Sequence, residues 1–220
     1  AIGLELRGQV HNKIWETIWD KAFGISSLLL ALFFGVALGN VVRGVNLGMV
    51  TDGISAYEPH YFFLPLWNST FNPHAEQLGI IDWFTLMLGI VGVVALMIHG
   101  ANWIIFKTNS ALNSKLRNVV FNLNFVLLAL VLTSLATWHI IEPQPFQNFI
   151  AHPWLWIFPL ITFAGIFGLF KVKSFKKDGL GFLFSSMFLF GGLTSTVVSI
   201  FPKLLPSTNN VNPSLTVYNV

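Results

Sequence analysis

The chain has 220 residues, of which 54% are hydrophobic and only 10% charged, against roughly 25% charged in an ordinary soluble domain, so a soluble domain is excluded. Cysteine is absent, which removes disulfides, thiolate zinc sites, iron–sulfur ligand sets and the covalent haem motif. The net charge of +3 comes from basic residues scattered through an apolar chain, with no stripe of the kind that binds nucleic acid.

At the N-terminus, Val10, Ile14, Trp15, Ile18, Trp19 and Phe23 recur at helical spacing with Arg7, Lys13, Glu16 and Asp20 between them. That pattern predicts an amphipathic helix over 9–22, lying in the membrane interface and running into a first span. No formal charge then occurs in Ala22–Val42, Trp83–Phe106, Asn118–Ile141, Pro143–Phe170 or Gly179–Pro202. A helix rises about 1.5 Å per residue and the hydrocarbon core is about 30 Å thick, so about twenty apolar residues cross it. Five spans follow, near 23–42, 82–106, 118–141, 154–171 and 180–201, all within one membrane domain over 1–220. Pro143, Pro145 and Pro153 precede the fourth and Pro159 lies one turn inside it, where a kink is expected. Continuous apolar runs exclude a transmembrane barrel, whose strands alternate. The fold class is therefore all-α, a polytopic transmembrane helical bundle.

Between the first two spans lies a long loop, 43–81, with Tyr57, Tyr61, Phe62, Phe63, Trp67 and Phe71 among Pro59, Pro65 and Pro73. Aromatics of this kind suit the headgroup zone. A connection of about forty residues is longer than structureless loops usually are, so it is read as a packed lid or a partner contact.

The basic residues set the threading. Arg7, Lys13 and Lys21, then Lys107, Lys115 and Arg117, then Lys171, Lys173, Lys176 and Lys177 fall on one side of a five-span chain. Only Arg43 and Lys203 fall on the other, so ten of the twelve basic residues share a side. The positive-inside rule places residues 1–21 in the cytoplasm and residues 203–220 outside. Ala1 is not Met, no signal-peptide pattern follows it, and Tyr218, Asn219 and Val220 close the chain without a charged tail; both ends read as cuts in a longer protein.

Two intramembrane histidines raise the question of haem, since imidazoles on facing helices can share one iron. His99 in the second span and His139 in the third differ in depth by roughly 20 Å at helical rise, too far for one iron. His139, Glu142 and His152 share the outer edge with His60 and His74, without the spacing of a strong metal signature. His99 remains the intramembrane polar candidate, with an interhelical hydrogen bond as the plainer role. Asp82 stands where it can cap the second span. No acid lies at mid-membrane, so the carboxylate relay of a self-contained proton pump is not expected. Gly35 and Gly39, followed by Asn40, form a small-xxx-small stripe suited to helix packing, and this stripe is the candidate face toward a partner subunit.

Several strings resemble, in order, subunit II of the cytochrome bd-type quinol oxidases, including the cyanide-insensitive branch. They are Glu5-Leu6-Arg7-Gly8; Trp15, Trp19, Asp20, Phe23 and Ser26; Gly35-Val36-Ala37-Leu38-Gly39-Asn40 with Arg43-Gly44-Val45; His99-Gly100-Ala101 with Lys107-Thr108; and Phe201-Pro202, Leu205-Pro206-Ser207-Thr208 and Ser214-Leu215-Thr216-Val217-Tyr218-Asn219. The resemblance implies an inner-membrane subunit without its own haem or catalytic centre. Its partner would be subunit I, which in this family carries the b- and d-type haems, oxidises quinol from the quinone pool and reduces dioxygen to water. In some members subunit II holds a structural quinone. The family's first two helices, with their acidic residues and a Trp-Asp-Gly-Asn string, would precede Ala1, so no proton-path residue is carried over. The competing class is a secondary transporter or permease, which would call for internal repeats and broken helices; an autonomous membrane cytochrome is a further rival, disfavoured by the histidine depths.

Overall fold

The structure, a computed structural model, describes residues 2–9, 12–45, 50–51, 54–55, 66–67, 69–74, 78–109, 111–142, 144–208 and 214–218. In chain order its helices are α1 (Ile2–Arg7), α2 (Lys13–Arg43), α3 (Trp83–Lys107), α4 (Leu112–Ile141), α5 (Gln144–Ala151), α6 (Ile157–Leu169) and α7 (Gly179–Ile200). Two short antiparallel ribbons, β1 (Val50–Thr51) with β2 (Ile54–Ser55) and β3 (Lys203–Leu205) with β4 (Leu215–Thr216), lie in the connections at one end.

Four helices, α2, α3, α4 and α7, are long and apolar enough to cross a membrane. A fifth passage is bent: the segments 145–151 and 153–169 meet at 114°. Proline explains the bend, because Pro153 has no amide hydrogen to continue α5, and the chain restarts as a 3-10 turn over Pro153–Trp156 before α6. This is a multi-pass, all-α membrane protein.

Packing in such a bundle draws little on the hydrophobic effect, since lipid is as apolar as the helix surface; close fit between helices carries it. Glycine provides that fit at two seams. A Cβ on Gly35 would lie 2.5 Å from the Leu88 carbonyl oxygen, and one on Gly39 would lie 2.9 Å from the Thr85 Cα. These contacts run α2 antiparallel to α3. On the other side, a Cβ on Gly165 would sit 2.6 Å from the Phe188 amide nitrogen, and one on Gly191 would sit 2.7 Å from that of Thr162, closing α6 on α7. The main core joins α3, α4, α6 and α7 through Ile98, Ile105, Val120, Leu127, Ile166 and Phe188. A smaller cluster of Val42, Phe84, Trp138 and Ile200 closes the opposite end.

Three boundaries differ from the sequence expectations. The interfacial helix over 9–22 is not a separate element: residues from Lys13 onward belong to one unbroken helix of 31 residues. Asn12 starts it by accepting a hydrogen bond from the Ile14 amide. Only α1 stands apart, folded back so that Arg7 pairs with Asp20 at 2.7 Å and the Trp15 indole donates to the Leu6 carbonyl. The third span begins at Leu112 instead of 118, because Lys115 and Arg117 extend from the helix's first turns. The fourth begins with α5, which lies across α7 while Asn148 donates to the carbonyls of Val198, Ser199 and Phe201. Val10, Tyr57, Pro59, His60, Tyr61, Phe62, Phe63, Pro65, Pro143 and Asn219 lie outside the described residues.

Candidate functional site: polar groups inside the bundle

Among the described residues, the most deeply enclosed charges are Arg43 and Asp82, at the end of α2 and the start of α3. Asp82 forms a capping box: its carboxylate accepts from the amides of Phe84 and Thr85, while the Thr85 hydroxyl accepts from the Asp82 amide. The other carboxylate oxygen accepts from the Arg43 guanidinium. The two side chains are 2% and 3% exposed. Arg43 also donates to the Asn40 side-chain oxygen at 2.7 Å and to the Gly44 and Gly79 carbonyls, each at 3.2 Å. Asn40 in turn donates to the Ile80 carbonyl at 2.8 Å and to that of Val36. One guanidinium therefore ties the end of α2, the return of the long loop and the first turn of α3. Beside it, Gly44 turns the chain with φ at 92° and its neighbour Val45 pairs with Pro206 and Thr208.

Sequence reasoning placed Asp82 as a cap and missed the ion pair. The signal available was Arg43 itself, one of two cations on the side of the chain otherwise poor in them.

His99 sits about two turns from the end of α3, half-buried against α7, with its Nδ1 2.9 Å from the Ser185 hydroxyl and its ring 4.7 Å from that of Phe182. Ser185 also donates to the Phe182 carbonyl, so one hydroxyl links the His99 ring of α3 to the backbone of α7. One turn on, Asn102 is fully buried, donates to the Ile98 carbonyl and presses its side-chain oxygen toward Gly181, where a Cβ would be 2.2 Å away. Asn124 of α4 donates to the Ile166 carbonyl of α6. Apart from the ion pair, most enclosed polar side chains link neighbouring helices or bond their own backbone, as expected where water is scarce, while the Trp138 indole nitrogen and the Ser195 hydroxyl are enclosed without a hydrogen-bond partner among the described residues.

The remaining predicted positions separate. His139, at the far end of α4, stacks edge-on against Phe146, so it shares no site with His99. His74 and His152 are exposed. Among the described residues, no three His, Cys, Asp or Glu side chains are grouped as a metal site requires. Gly35 and Gly39 are occupied by α3 of this same chain. The expectation that their stripe faces a partner subunit is therefore corrected: any larger atom at either position meets backbone already in place. Asn40, half-buried, fastens the loop at Ile80.

Toward the other end of the same helix pair, α2 and α3 part. There an apolar groove of about 700 Å³ opens, walled by Gly24, Ser27, Leu28, Ala31 and Phe34 on one side and Val93, Leu96 and Met97 on the other.

Comparison with known proteins gives a consistent placement. A family model described as cytochrome bd terminal oxidase subunit II matches residues 1–220. A probable cytochrome oxidase subunit 2 of Haemophilus influenzae is 28% identical over 244 residues, covering 99% of this chain and 60% of that protein. Cytochrome bd-I ubiquinol oxidase subunit 2 of Escherichia coli (strain K12) is 24% identical over 246 residues, with 99% and 60% covered. The chain thus spans about 60% of the length of these curated relatives. With the match running through every residue of a multi-pass helical bundle, the chain belongs to the cytochrome bd terminal oxidase subunit II family.

Proposed function

We propose that this chain is part of the non-haem membrane subunit of a respiratory quinol oxidase, standing beside a haem-bearing subunit I that oxidises quinol and reduces dioxygen to water. The single observation that carries this reading is the family match over residues 1–220. The use of the enclosed polar groups in binding helix to helix and helix to loop agrees with an architectural role. In that role residues 1–220 act as one membrane domain, shield subunit I from lipid and complete the heterodimer. The b- and d-type haems belong to subunit I. A quinone held by this chain would lodge its isoprenoid tail in the apolar groove between α2 and α3. The membrane is the bacterial inner membrane, with residues 1–21 and the lysine-rich connections cytoplasmic and residues 203–220 outside.

The test is purification of the native full-length polypeptide from its own membrane. The expected result is co-purification with a haem-bearing partner and quinol-dependent oxygen uptake. A stoichiometric haem band in the visible spectrum of this polypeptide, freed of any partner, would overturn the reading.

A further inference from the structure

Two stretches close one end of the bundle: 107–117, from the last residue of α3 into the first turns of α4, and 170–178, the connection between α6 and α7. Arg117 joins them, donating to the Val172 carbonyl and to the Asp178 carboxylate. Asp178 is the only acid in either connection, so this ion pair consumes the local negative charge. Six exposed lysines remain: Lys107, Lys115, Lys171, Lys173, Lys176 and Lys177. Two are steered by rings, with the Lys107 ammonium 4.8 Å from the Trp103 ring centre and that of Lys173 4.0 Å from Phe121. The other four have neither a carboxylate nor a ring partner among the described residues.

Next to these cations, on the bundle side, the surface turns apolar. Val119, one turn along α4 from Lys115, is 45% exposed; Phe167, four residues before Lys171, is 57% exposed; and Leu183, in the second turn of α7, is 52% exposed. Cations at the helix ends above bare hydrocarbon reproduce the vertical order of a phospholipid, phosphate over acyl chain.

We propose that this two-connection basic face seats the phosphate headgroups of anionic phospholipids, with their acyl chains against Val119, Phe167 and Leu183. Net charge selects the occupant: six cations beside one neutralised acid complement phosphates that carry net negative charge and gain little from zwitterionic headgroups. The lysines are spread over the ends of four helices, which suits several headgroups side by side better than one compact anion.

The test uses the full-length protein in its native complex, placed in nanodiscs of equal parts phosphatidylglycerol and phosphatidylcholine. Lipid retained after brief detergent washing is quantified by mass spectrometry. Phosphatidylglycerol should be enriched, and the enrichment should fall as salt is raised, because exposed charges are screened. A lysine beside an anionic surface contributes about fivefold in affinity, so Lys176→Gln with Lys177→Gln should weaken phosphatidylglycerol retention by roughly twenty-fivefold. Lys176→Arg with Lys177→Arg should retain it, and Lys203→Gln at the opposite end should change nothing. Equal retention of the two lipids by the unaltered protein, salt-independent retention, or full retention by the glutamine variant would overturn the proposal. So would carbodiimide cross-links from these lysines to a partner's carboxylates, since protein would then cover the face. Subunit association and oxygen uptake, followed in the same samples, separate a failure of lipid selectivity from a failure of the oxidase reading.

Discussion

Taking the charge from Asp82 leaves the Arg43 guanidinium enclosed without a counter-ion. The two side chains are 2% and 3% exposed, so water cannot screen the stranded cation, and removal of one partner from so buried a pair costs about 3–5 kcal/mol. Asp82 also caps α3, and loss of a cap costs about 1 kcal/mol more. Asp82→Asn keeps an oxygen for the cap and removes only the charge, so it should lose the first amount. Asp82→Ala should lose both. In Arg43→Met with Asp82→Asn the stranded charge is gone, and the double variant should be more stable than Asp82→Asn alone. Unfolding in mixed micelles of mild detergent and dodecyl sulfate, followed by helical circular dichroism, measures these three variants, the Arg43→Met single variant that completes the cycle, and the unaltered protein. A loss below about 1 kcal/mol for Asp82→Asn, with the two substitutions additive, would mean the pair behaves as an exposed one, and the fastening of the long loop at this end would be refuted.

Three other outcomes follow from particular contacts. Gly165→Ala places a methyl against the backbone of Phe184 and Phe188 and should lower the thermal midpoint, whereas Gly100→Ala meets nothing within 4 Å and should leave it unchanged or raise it through helix propensity, worth up to about 1 kcal/mol. His99→Ala and Ser185→Ala should each cost about 0.6–2 kcal/mol, typical of hydrogen bonds between membrane helices, and the double variant should cost little more than either alone; additive losses in the same micelle titration would show that the two do not act as a pair. Because the chain has no cysteine, Ser174→Cys and Thr208→Cys report topology directly, and an impermeant maleimide should reach the second from outside intact cells and the first only after permeabilisation.

The extent of apolar runs was readable along the chain because a bilayer imposes a length on every crossing; the charge gaps coincide with α3 and α7 nearly to the residue, whereas α2 and α4 begin well before theirs, in charged turns. The family was readable too, since short strings such as Gly35-Val36-Ala37-Leu38-Gly39-Asn40 keep their order whatever they touch. What those strings touch was decided only by folding. Gly35 and Gly39 mark a close approach, but periodicity cannot say whether the approaching helix is the chain's own or another's, and α3 takes the position. The bend between α5 and α6 depends on Pro153 together with the three carbonyls near the end of α7 that Asn148 reaches, some fifty positions onward in sequence. Arg43 and Asp82 stand 39 positions apart and become partners only when the loop between them returns. Local sequence sets which segments enter the membrane through transfer energies that add residue by residue; which polar groups meet inside depends on distances between helices, and only the assembled bundle defines those.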